Sequence, residues 1–200
     1  MRSLKIILLL SIATVVAAVA AENQFHKVSA TGFSAKSGET TMIVDTDQAL
    51  QRGHEKFIPL MVWLGGKEHK TIYAGRGSFT LIDPDGISHA MPSFNELVKG
   101  YSSGLVHADY SRIKAERSYY EYARMYYLDC MPLRTVSFFP DPGSTRVLYD
   151  KVEMPSRTFF RALLYFPNAT PAKGGTYKLV YSDAKSGTQI TVPFSLSWTK

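Results

Sequence analysis

The chain has one cysteine in 200 residues, Cys130. No disulfide can form within it, so the fold must stand on its apolar core. Export without disulfides is more natural for a bacterial periplasm or secretome than for a small animal extracellular module. Cys130 lies between Leu128 and Met131 with no basic partner beside it, and is expected to be a buried, unpaired thiol. Histidine is also sparse. His26, His54, His69, His89 and His107 are widely spaced, with no H-x-H or H-E-x-x-H pattern, so no metal site is expected from spacing alone. There is no internal repeat and no low-complexity linker. After the first 21 residues no apolar run is long enough to cross a membrane as a helix.

What is present begins with an export signal. Arg2 and Lys5 form a positive start, residues 6–16 an apolar run, and residues 17–21 (AAVAA) a small-residue cleavage site. Residues 1–21 are therefore expected to be a signal peptide and 22–200 a single domain, secreted or periplasmic, with no lipid-attachment cysteine. Loss of Arg2 and Lys5 lowers the formal charge from +6 to +4. That charge is mild and dispersed. It suits weak attraction to acidic glycans or lipid headgroups and is no nucleic-acid footprint.

The clearest folding signal lies near the end. Ile190, Val192, Phe194, Leu196 and Trp198 alternate with polar or small partners, as do Tyr177, Leu179 and Tyr181. Residues 183–187 (DAKSG) join the two runs, so a hairpin is predicted. Residues 158–166 (TFFRALLYF) are apolar on both faces, the pattern of a central strand. Upstream, 23–35, 40–44, 57–64, 76–82, 87–91, 134–139 and 147–154 read as further strands, with Pro59 placing the start of 57–64 at an edge or bulge. Asp83-Pro84-Asp85-Gly86 is a strong turn. Ser93 and Glu96 form a capping box for a short helix to about Lys99, with Phe94, Leu97 and Val98 on one side. A helix is favoured over 111–121. The sum is a mainly β chain: an antiparallel β-sandwich of immunoglobulin-like type, with a partly helical insertion around 92–127.

Short motifs carry a resemblance. R-x-L-L-Y-F-P (161–167), G-G-T-Y-x-L-x-Y (174–181) and I-T-V-P-F-S-L (190–196) look like the closing strands of secreted immunoglobulin-like domains. L-I-D-P-D-G (81–86) resembles a turn of telokin-like bacterial extracellular domains. The resemblance implies the sandwich fold and assigns no site residue.

For chemistry, Gly100-Tyr101-Ser102-Ser103-Gly104 is a formal G-x-S-x-G, but a nucleophile elbow needs a strand entering and a helix leaving. Here a short helix is expected before it, and no histidine follows His107. A small hydrolase using Ser102 is therefore an alternative, as is a metal carrier built from converging histidines. Asn168-Ala169-Thr170 is a glycosylation sequon, followed directly by Pro171, and is set aside. The leading expectation is a non-enzymatic binding or envelope-associated module without a cofactor. Its partner would be an unknown protein or glycan, with no nucleic acid and no stable membrane insertion. The candidate surface is the tyrosine-rich stretch, where Arg117, Tyr119, Tyr120, Tyr122 and Arg124 offer contact area with few torsions to freeze. Loop 183–187 is expected to be neutral in recognition.

Overall fold

The structure is a computed structural model and describes residues 24–66, 71–115, 133–139 and 147–198. Along the chain, β1 (Gln24–Lys27), β2 (Gly32–Ser37) and β3 (Thr40–Asp45) precede α1 (Asp47–Gln51) and β4 (Phe57–Gly66). β5 (Ile72–Gly75) passes through a 3-10 turn at Arg76–Ser78 into β6 (Phe79–Ile82) and β7 (Ser88–Ala90). Then come α2 (Phe94–Gly100), α3 (Ser103–Ala115), β8 (Leu133–Val136), β9 (Lys151–Met154), β10 (Phe159–Pro167), β11 (Gly175–Ser182) and β12 (Gln189–Leu196). The protein is mainly β with antiparallel sheets.

Three sheets form among the described residues: β1-β2-β3-β4-β10-β8, β12-β11-β6-β7, and the two-stranded ribbon β5-β9. Every strand pairing is antiparallel except β8 with β10. β12 lies against β2 and β3 of the large sheet, with the Phe33 and Phe194 ring centroids 6.2 Å apart. Phe138 spans the interior, 6.3 Å from the ring of Phe79 and 6.5 Å from that of Phe160. Period-two burial along β12 follows its apolar alternation, whereas β10 is buried on both faces at all but Arg161 and Pro167.

Some expectations hold and others need correction. The run 57–64 forms β4, and its start is an edge as expected: β3 pairs with β4 only from Met61 onward, so among the described residues the strand neighbour at Pro59 is β10 alone. The missing N–H of Pro59 falls where no ladder bond is asked of it. The run 23–35 is divided: Val28 and Ser29 donate to the Gly32 carbonyl in a turn between β1 and β2. β5, unforeseen as a strand, occupies 72–75. The second helix starts at Ser103 rather than 111. The capping box forms as expected, with Glu96 N–H donating to Ser93 Oγ and Ser93 N–H to Glu96 Oε2. On that helix Leu97 is buried, while Phe94 and Val98 are 41% and 56% exposed. The three side chains do not bury together.

Candidate functional site

An open groove of about 850 Å3 lies between the β5–β9 ribbon and the loop joining β11 to β12. One carboxylate holds its two walls together. Asp183 Oδ1 accepts from the Lys185 and Ser186 amides at 2.8 and 3.2 Å, and Oδ2 accepts from the Tyr73 amide at 3.4 Å. Tyr181 donates its hydroxyl to the Tyr73 carbonyl at 2.9 Å. Burial opposes ionisation of Asp183, but hydrogen bonds from Ser186, Lys185 and Tyr73 outweigh it and hold the carboxyl below the usual carboxylate range. The loop closes with Gly187, at φ 72°, donating to the Asp183 carbonyl. The five-residue loop is thus a fixed wall of the groove.

The floor follows from strand register. The Tyr73 amide and carbonyl point toward β11, away from β9, so Tyr73 and Glu153 are a non-hydrogen-bonded pair with side chains close on one face. Gly75 and Lys151 lie opposite each other two residues on, on that same face. Gly75 has no room for a side chain: an added Cβ would sit 2.8 Å from the Asp150 carbonyl oxygen. Lys185 Nζ stands 3.6 Å from the centroid of the Tyr73 ring, a cation–π contact. Arg76 closes one end, paired with Asp150 at 2.8 Å.

A second polar cluster lies inside the protein. Asp109 on α3 is 2% exposed and Tyr101 3%. Asp109 Oδ1 accepts from Arg52 at 3.1 Å, and Oδ2 accepts from the hydroxyls of Tyr101 at 2.8 Å and Tyr165 at 3.2 Å. Gln48 on α1 donates to the Asp109 carbonyl. Burial pushes the Asp109 carboxyl up, against the pull of Tyr101, Arg52 and Tyr165, and burial beside Asp109 raises both tyrosines. Arg112 pairs with Asp47 at the rim. The cluster fastens α3 to α1 and β10.

These contacts locate the hydrolase candidates. Ser102 Oγ accepts from the Leu105 amide at 3.3 Å and its carbonyl takes the Val106 amide, the contacts of a helix cap. A short helix, not a strand, leads into it. Both oxygens of Asp109 are bonded to Arg52, Tyr101 and Tyr165, and His107 is exposed. Among the described histidines, His26 and His54 are exposed and His89 bonds Asp83 at 2.9 Å. No cluster of three potential metal ligands occurs among the described residues. Asn168 is buried, and its amide nitrogen donates to the Gly53 and Glu55 carbonyls, so the sequon nitrogen is committed.

Arg117, Tyr119, Tyr120, Tyr122, Arg124 and Cys130 lie outside the described residues, as does the expected signal at 1–21. Two tyrosines of the same rich stretch are described, Tyr101 and Tyr110. Both are core, the second donating to the Phe139 carbonyl at 2.9 Å. The groove's sequence signal was weak: residues 76–82 read as a strand and Asp183–Gly187 as a hairpin loop. Only the pairing of β5 with β9 brings them together. No protein-family model, curated protein or solved structure matches the chain.

Proposed function

We propose that the protein is an exported, non-enzymatic binding or envelope-associated module, and that its ligand lies in the groove between the β5–β9 ribbon and the β11–β12 loop. The observation that carries this is the prearranged groove: Asp183 ties both walls through backbone amides, so little ordering is left to oppose binding. Export rests on the signal pattern of residues 1–21; no helix among the described residues is long and apolar enough to cross a membrane. An immunoglobulin-like sandwich is supported by the β11–β12 hairpin and by β12 lying on β2 and β3. The parallel β8 edge departs from an all-antiparallel form.

Gly77 supplies the test. An added Cβ there meets nothing within 4 Å, so Gly77→Trp should fill the groove and leave the fold intact. Retention on isolated envelope fractions should be lost in Gly77→Trp and kept in Ser102→Ala. Retention unaffected by Gly77→Trp would reject the groove. Hydrolysis of an ester or amide that disappears only in Ser102→Ala would replace the binding reading with the enzymatic one.

A further inference from the structure

We infer that the groove recognises an acidic oligosaccharide, one whose sugar units carry carboxylates as well as hydroxyls. This rests on the groove being the binding site. Its chemistry is neither uniformly charged nor apolar. Three cations, Arg76, Lys151 and Lys185, line the groove beside Tyr73. Of the three acids, Asp183 is turned inward onto backbone amides, and Asp150 is spent on Arg76. Among the exposed groups the cations therefore lead, with Glu153 the one acid bearing no ion pair among the described residues.

Each group matches a part of such a ligand. Lys151 and Lys185, beside the spare donors of Arg76, suit carboxylates spaced along a chain. Glu153 is an acceptor with no donor of its own, which suits a hydroxyl. The Tyr73 ring, directly opposite Glu153, offers a flat apolar face with only two torsions to freeze. That face is covered by the Lys185 ammonium. A ligand carboxylate drawing Lys185 aside uncovers the ring for the sugar. Carboxylate and ring face are thus read together, which poly-glutamate, with no ring to stack, does not satisfy.

The test uses purified protein and three probes at low ionic strength: a short oligogalacturonate, a neutral chito-oligosaccharide and poly-glutamate. The expected result is saturable binding of oligogalacturonate by calorimetry. Lys151→Glu and Lys185→Glu should each weaken it roughly tenfold or more, and added salt should weaken it further. Tyr73→Ala should weaken it with unchanged salt dependence, and Lys178→Glu, on the exposed side of β11, should leave it unchanged. Lys185→Ala should weaken the acidic probe yet strengthen the neutral one, because the ring is then open. Equal binding of poly-glutamate with no effect of Tyr73→Ala would overturn the sugar assignment. Binding of the neutral probe alone would overturn the acidic one. If no probe binds but envelope retention still depends on Gly77, the ligand class falls and the binding module stands; if retention is absent too, both fall.

Discussion

At the scale of single residues, two aspartates carry opposite pH signatures. Asp109 is raised by burial, so its contribution to stability is fully present below the unfolded value of about 3.9 and is lost as pH rises through its folded pKa. Asp183 is lowered, so its contribution is present above that value and is lost as pH falls through its folded pKa. Urea unfolding of Asp109→Asn and Asp183→Asn should separate them. Relative to the parent, the first should lose ground toward acid and the second toward neutral pH. Parallel curves for the two variants would show that neither carboxyl titrates as described. Removing the buried acid outright is harsher. Asp109→Ala leaves Arg52 and two hydroxyls without their acceptor and should cost about 3–5 kcal/mol in chemical denaturation.

At the scale of elements, the glycine of β4 shows how pairing fixes a residue. Gly65 stands opposite Phe159 of β10, and the phenyl ring lies where a Gly65 side chain would be. Gly65→Ala should lower stability by about 1–3 kcal/mol, read from the urea midpoint, through the forced shift of that ring. Ser102→Ala should cost about 1 kcal/mol as a lost helix cap, with its largest effect on exchange protection of α3. What was legible in the sequence divides along the same line. β10, β11, β12, the Asp83–Gly86 turn and the Ser93 capping box are written in local patterns: period two, unbroken apolar runs and capping residues. β5 is too short for a period, and its one tyrosine is half-buried, so only its partner β9 identifies it. Ser102 matched a catalytic motif because glycine and serine serve caps as readily as elbows. The groove was illegible for a deeper reason. Tyr73, Lys151 and Lys185 are separated along the chain and meet through register, which no spacing rule contains.

At the scale of the molecule, the core joins segments far apart in sequence. β12 lies on β2 and β3, and Phe138 ties β6 to β10. Such non-local pairing must close long loops before it is rewarded, so refolding after stopped-flow dilution should fall in the millisecond-to-second range. A microsecond phase accounting for the full amplitude would contradict this. Trp198 adds a separate fastening: its indole N–H donates to the Ala49 carbonyl at 3.2 Å, and its ring covers Gly53 beside α1. The chain has two tryptophans, and the other, Trp63, lies in the middle of β4 and is buried. Two indoles in such different settings give the protein two built-in fluorescent clocks. In Trp198→Phe the remaining emission times the sheet alone, and subtraction from the parent trace times the docking of residues 197–198 onto α1. If the tail opens before the sheets part, the difference signal will be lost at denaturant concentrations where Trp63 still emits from an apolar setting.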